Sequence, residues 1–218
     1  MQEHQKKIPV AVVTGGHPYD VPNFHRLFRN LPSLDCYLQH MEDFIESSET
    51  VRDSYDAVVL FNFNRTPMPD GKEKAAIEHL GNTKQGIVVL HHALWSYPQW
   101  PLWTDLCGIA NGGLGAKAGQ PMHLEITRVR HPITAGLRAW DMIDETYRMA
   151  DAAEGSEVLV TTDNPDCMKT IAWTRQYKKA HVFCLELGHD NLAWTNQNFH
   201  SLLERGLAWC ACPDQHAV

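Results

Sequence analysis

Three short runs constrain this chain more than anything else in it. Ile8-Pro9-Val10-Ala11-Val12-Val13-Thr14, Ala57-Val58-Val59-Leu60-Phe61 and Gly86-Ile87-Val88-Val89-Leu90 are almost continuously apolar. A strand with one face in water alternates polar and apolar residues, so a strand without that alternation is covered on both faces. The segments between these runs have helical spacing. Phe24, Leu27, Phe28 and Leu31 repeat at i, i+3, i+4 and i+7, behind a start signal in Asp20-Val21-Pro22. Gly71 to Leu80 reads as a second helix with Ala75, Ala76 and Leu80 inward. Leu34 to Gln39 offers a further strand. Strands alternating with helices predict an α/β fold, a parallel sheet between two helical layers.

The second half of the chain changes character. Five glycines fall between Leu106 and Gln120, which predicts a mobile loop. Short strand candidates come next at His123–Arg128, Glu157–Thr161, Thr170–Trp173 and His181–Leu187. Gln176 to Ala180 separates Thr170–Arg175 from His181–Leu187, consistent with a hairpin at the sheet edge. Phe199, Leu202, Leu203, Leu207 and Cys210 form one face of a closing helix. With 218 residues, no repeat and no linker, residues 1–218 read as one domain.

Composition narrows the function classes. Nineteen Lys plus Arg against 26 Asp plus Glu give a net charge of −7. Without a basic cluster, that charge argues against nucleic acid or an anionic membrane as a partner. No apolar stretch reaches 18 residues, so no membrane span is expected. The polar N-terminus lacks an apolar signal core, which points to the cytoplasm. The six cysteines contain no C-x-x-C and read as free thiols.

In open α/β sheets, ligands bind beyond the carboxyl ends of the parallel strands. The strands here lead into Gly15-Gly16-His17, Asn62-Phe63-Asn64-Arg65, His91-His92 and Gly188-His189. Three of these four loops present histidine, whose ordinary pKa suits acid–base work near neutrality. If the strand ran on through His91 and His92 the two would face opposite ways, so at most one enters the site. Glu145, in Asp144-Glu145-Thr146-Tyr147, is a candidate to orient a histidine, act as acid or base, or bind a metal. Trp95, Tyr97, Trp100 and Trp103 crowd the segment after His92, and aromatic faces suit sugars as well as ordinary packing. No tightly held metal is expected; a weakly held divalent ion such as zinc would use His17, His91 and His189, although no local ligand spacing supports it. The H-E-x-x-H, G-x-S-x-G, P-loop and G-x-G-x-x-G signatures are missing.

Taken together these pieces resemble the trehalose-utilisation (ThuA-like) family. The matching motifs are VVTGGH at 12–17, YDAVVLF at 55–61, GIVVLHHALWSYPQW at 86–100, HPITAGL at 131–137, DETY at 144–147, IAW at 171–173, LGHD at 187–190 and LLERGLAW at 202–209. The resemblance implies a flavodoxin-like, three-layer α/β/α fold with a mostly parallel central sheet and an antiparallel edge extension. It also implies kinship with class I glutamine amidotransferases, whose cysteine nucleophile sits at the elbow after a central strand. Here that elbow reads Leu90-His91-His92-Ala93, so glutamine hydrolysis through a thiolate is not expected. Two departures stand out. Gly108 to Gln120 is glycine-rich where many members carry a further histidine, and Tyr177-Lys178-Lys179-Ala180 replaces a glycine-containing turn.

The resulting expectation is an enzyme of carbohydrate metabolism acting on a sugar or keto-sugar, with a small-molecule sugar as partner and self-association possible. His91 and His189 are the expected catalytic acid and base groups, with Glu145 tuning one of them. His17, His92, Trp95, Tyr97 and Trp100 are expected to bind substrate. A non-catalytic sugar-binding or partner-binding domain is the alternative.

Overall fold

The computed structural model describes residues 6–110 and 115–212. The first half alternates as the apolar runs require: β1 (Ile8–Gly15), α1 (Val21–Arg29), β2 (Leu34–His40), α2 (Met41–Glu46), α3 (Glu49–Arg52), β3 (Ala57–Asn62), α4 (Gly71–His79), β4 (Gly86–Leu90) and α5 (Pro101–Cys107). The second half holds β5 (Ala116–Ile126), β6 (Trp140–Tyr147), β7 (Ser156–Thr162), β8 (Thr170–Tyr177) and β9 (Ala180–Leu185), then α6 (Asn191–Trp194) and α7 (Gln197–Ala211). All nine strands form one sheet in the order β2-β1-β3-β4-β9-β8-β7-β5-β6.

The continuous apolar runs are explained by two separate cores. Val10, Val12, Val59, Phe61, Val88 and Leu90 pack with α1 and α7 on one face of the sheet. Their neighbours Ala11, Val13, Val58, Leu60, Ile87 and Val89 pack with α2, α4 and α5 on the other. Successive side chains in a strand point to opposite faces, so a strand buried on both sides has no polar position to spare. In α4 and at its end the buried side is Ala76, Ile77 and Leu80; Ala75, expected inward, is exposed.

The expected mostly parallel sheet is corrected. Four ladders are parallel, β1·β2, β1·β3, β3·β4 and β4·β9. Four are antiparallel, β5·β6, β5·β7, β7·β8 and β8·β9. No helix separates β5 through β9 in the chain, and without a crossover helix a strand pairs antiparallel with its neighbour. The expected β8–β9 hairpin is present, but β9 lies inside the sheet between β4 and β8 rather than at its edge. Part of the expected glycine-rich loop is strand, since β5 begins at Ala116 and its register shifts between Lys117 and Gln120. Residues 111–114 of that loop lie outside the described residues. Among the described residues no helix is long and apolar enough to cross a membrane.

α7 sits directly on the centre of the sheet because two glycines leave room for it. A Cβ on Gly86 would stand 2.5 Å from the backbone carbon of Cys210, and one on Gly206 would stand 2.2 Å from the Phe183 ring. At Gly86 the obstacle is helix backbone, which cannot swing aside. Gly86→Ala is therefore expected to destabilise the protein by about 1–3 kcal/mol, the usual cost of overpacking. Urea unfolding of the two proteins side by side checks this; an unchanged midpoint would show that α7 rides more loosely than its packing indicates.

Candidate active site

Three strand ends deliver the histidines to one edge. β1 ends in Gly15-Gly16, and Gly16 is in the left-handed region with φ +72. A Cβ there would lie 2.0 Å from the Phe63 carbonyl oxygen, so glycine is what lets the loops after β1 and β3 close on each other. β4 ends at Leu90, and His91 opens a 3-10 turn, His91–Trp95, with φ +53. A non-glycine residue in that region costs roughly 1–3 kcal/mol and persists only where its surroundings hold it. The chain therefore turns at His91 rather than running on as strand, and His91 is fully buried. Beyond β9, Gly188-His189 brings His189 half-buried to the same edge.

The fourth arrival comes from the far end of the sheet. β6 is four ladders away from β9, yet the antiparallel half curls until the end of β6 meets the loop after β9. The Asp144 carboxylate accepts hydrogen bonds from the backbone N–H groups of Gly188 (2.8 Å), His189 (3.1 Å) and Glu145 (2.8 Å). The Tyr147 N–H donates to Glu186 Oε1 at 3.1 Å. These bonds tie Glu145 and His189 into one unit.

Three donor atoms converge there. His91 Nδ1 lies 2.6 Å from the Glu186 carbonyl oxygen. A carbonyl only accepts, so Nδ1 carries the hydrogen and, in the neutral ring, Nε2 presents a bare lone pair. That Nε2 takes a hydrogen bond from the Tyr147 hydroxyl at 2.8 Å. It stands 3.2 Å from Glu145 Oε2 and 3.3 Å from His189 Nδ1. Glu145 Oε2 and His189 Nδ1 are 3.2 Å apart. The triangle is nearly equilateral. Ligand atoms about 2.0–2.1 Å from a tetrahedral zinc ion lie about 3.3–3.4 Å from one another, so the donor set fits such an ion with one position open. A histidine held by a backbone carbonyl through its other nitrogen is also the usual arrangement of a metal ligand. His17, expected in the metal set, is not part of this group; Glu145 takes that place.

The family model for ThuA, trehalose utilisation, matches residues 36–210. This chain belongs to the ThuA family. A ThuA-like protein from Parabacteroides merdae shares its fold at a TM-score of 0.76 and 21% identity, over 95% of this chain and 91% of that one. A cytoplasmic protein from Salmonella typhimurium matches at 0.68 and 12% identity, over 92% of this chain and 98% of that one. A second cytoplasmic protein from Salmonella typhimurium matches at 0.61 and 13% identity, over 94% and 98%. No curated protein sequence matches the chain.

The charge states in this ThuA protein result from burial and hydrogen bonding. Burial opposes ionisation of Glu145, but the hydrogen bond from His189 and the closeness of the two imidazoles outweigh it and hold the carboxylate well below its ordinary range. The hydrogen bond to Glu145 raises His189, against the opposing effect of burial. Burial raises Asp144 although three backbone N–H groups favour its charge. Behind His91, Glu186 is fully buried and pushed well up, first by burial and then by the nearby Asp144. Its Oε2 has no hydrogen-bond partner, which fits a neutral acid. Burial likewise keeps Tyr147 a phenol.

The remaining expected site residues divide. His17 stacks on His92 with ring centres 4.8 Å apart and meets His189 edge-on at 6.3 Å, so it borders the triangle. His92 is buried, and its Nε2 donates to the Phe61 carbonyl at 3.0 Å, so that nitrogen is already engaged. Tyr97 and Trp100, expected to face a sugar, are buried packing residues. Trp95 is half-buried beside Tyr147, with the Arg65 guanidinium 5.1 Å above its ring. Asp144 and Tyr147 stand in the DETY motif from which only Glu145 is singled out, and Glu186 lies just ahead of LGHD, outside every quoted motif. The alternation Trp140, Met142, Asp144 along β6 is the pattern that places Asp144 on a buried face.

His92 supplies a pH test. Burial and the neighbouring His91 lower its pKa from 6.5 to about 2. The unfolded chain therefore binds a proton below pH 6.5 that the folded one refuses, so stability from this group is complete above that pH and falls as pH drops. Its slope is about 1.4 kcal/mol per pH unit well below 6.5. His92→Gln should flatten unfolding free energy against pH between 6 and 4 by about that much per unit relative to wild type. Parallel slopes would contradict a buried neutral His92.

Proposed function

We propose that this ThuA protein is an enzyme of carbohydrate metabolism that acts on a sugar or keto-sugar of the trehalose type, with His91, Glu145 and His189 as its reacting centre. The observation that carries the reading is the mutual approach of their three donor atoms, at 3.2–3.3 Å, at the carboxyl edge of the sheet. Glu145, held ionised, is the proton acceptor. His189, held toward its charged form and partly open to solvent, is the proton donor to a departing or developing oxygen. His91, fixed by the Glu186 carbonyl, keeps its Nε2 aimed at the reacting position, and Tyr147 offers a hydroxyl beside it. A divalent ion such as zinc, if bound by these three residues, would take the place of the proton shared by Glu145 and His189 and would supply Lewis-acid polarisation of a carbonyl or an activated water. Asp144 is the positioning residue that locks Glu145 to the His189 loop. His17 borders this centre and is a candidate to hold a substrate hydroxyl. Likeness to a cytoplasmic protein from Salmonella typhimurium favours a cytoplasmic setting.

A cysteine mechanism gains no support from the cysteines described. His91 occupies the turn after β4, and Cys184 is buried within β9 with its Sγ 3.7 Å from the Cys107 carbonyl.

The test is turnover of trehalose and keto-disaccharides by wild type, His91→Ala and His189→Ala, with a thermal melt beside each. Loss of a positioned acid or base costs about 10²–10⁴-fold in rate, and that loss is expected in both variants with the fold retained. Full activity in both would refute the assignment. Absence of turnover by wild type, with or without added zinc, would favour the sugar-binding domain instead.

A further inference from the structure

A cavity of about 440 Å³ opens beside the reacting centre, between the ends of β1 and β3 and the start of α2. Its volume lies within the range of roughly 300–1,000 Å³ typical of small-molecule sites. Its lining is amphipathic. Met41, Ile45 and Phe63 give apolar surface, while His40, Arg65 and Glu73 give polar groups of both signs.

The polar wall is held in place by hydrogen bonds. Asn62 Nδ2 donates to the Tyr97 hydroxyl at 2.8 Å, and that hydroxyl donates to Glu73 Oε1 at 2.7 Å. Asn64 Nδ2 donates to both Glu73 oxygens at 3.2 and 3.1 Å. The chain of bonds stops short at one atom: Asn62 Oδ1 is buried with no hydrogen-bond partner, and Asn62 lines the cavity. The wall is therefore fixed by its own hydrogen bonds and does not rearrange freely. Glu42 and Glu73 on the same wall disfavour a phosphate or other anion. Apolar patches between fixed acceptors and donors suit the face and edge of a neutral sugar ring.

The cavity is linked to the reacting centre through two rings. Phe63, which lines it, meets the His17 ring edge-on at 5.8 Å, and His17 in turn meets His189 at 6.3 Å. The Phe63 and His17 rings stand between the two spaces. We propose that this cavity is a second carbohydrate subsite, which holds the sugar unit of a neutral disaccharide that is not at His91, Glu145 and His189. The proposal rests on the carbohydrate reading above, and deepens it.

Calorimetric titration with trehalose tests it, on wild type, Ile45→Trp and Glu42→Trp. Ile45→Trp fills the cavity. Glu42→Trp crowds its rim from an exposed position that the fold tolerates if the core variant does not refold. Wild type is expected to bind trehalose, and the folded tryptophan variants to bind it at least about tenfold more weakly. Failure of wild type to bind, or undiminished binding by a folded tryptophan variant, overturns the subsite. Binding in the expected pattern without turnover of any sugar would leave the subsite standing and remove the catalytic reading, so the two fail separately.

Discussion

Everything at the candidate site depends on one short contact, His91 Nδ1 to the Glu186 carbonyl oxygen at 2.6 Å. It decides which nitrogen carries the hydrogen, and so turns the lone pair of Nε2 toward Glu145 and His189. The contact joins the residue after β4 to the residue after β9, adjacent parallel strands in the middle of the sheet. The strained turn at His91, with its positive φ, is held where the parallel half of the fold is most deeply packed. A side chain fixed by a central scaffold loses little orientational freedom when it acts, which is what acid–base or metal chemistry requires.

The other half of the site comes from the antiparallel strands. Asp144 bonds to the backbone of Gly188 and His189, which fastens the last strand of the sheet to the loop after β9. Glu145 is adjacent to Asp144 and has little choice of position once that carboxylate is seated. A buried, hydrogen-bonded carboxylate of this kind costs desolvation and returns a single arrangement of its neighbours. The candidate site therefore falls between two differently built half-sheets, the parallel one supplying His91, His17 and His189, the curled one supplying Glu145 and Tyr147.

Much of the first half is legible in the sequence because its constraint is local. Unbroken apolar runs such as Val10–Val13 and Ile87–Leu90 require cover on both faces, and the strand ends then name His17, His91 and His189 as edge residues. The motif order, from VVTGGH to LLERGLAW, adds the family. The illegible features depend on contacts between distant segments. β9 reads as an edge hairpin from its short connection to β8, and nothing local shows that its other side pairs with β4. The curl that returns β6 to the ligand edge is a property of the whole sheet, so Asp144 and Tyr147 are out of reach of a local reading although Glu145 beside them is not. Trp100 and Tyr97 read as sugar-facing for a related reason: aromatic residues pack and bind with the same chemistry, and only burial distinguishes the two roles.

The central claim is that the Glu186 carbonyl fixes His91 as the Nδ1–H tautomer, with Nε2 free to join Glu145 and His189 around a proton or a cation. Nitrogen-15 NMR of protein with labelled histidine measures this directly, since protonated and unprotonated ring nitrogens resonate far apart. The account predicts hydrogen on Nδ1 of His91, whose Nε2 resonance and the His189 Nδ1 resonance both shift when one equivalent of zinc is added. A His91 ring protonated on Nε2 alone, with neither resonance responding to zinc, would contradict it.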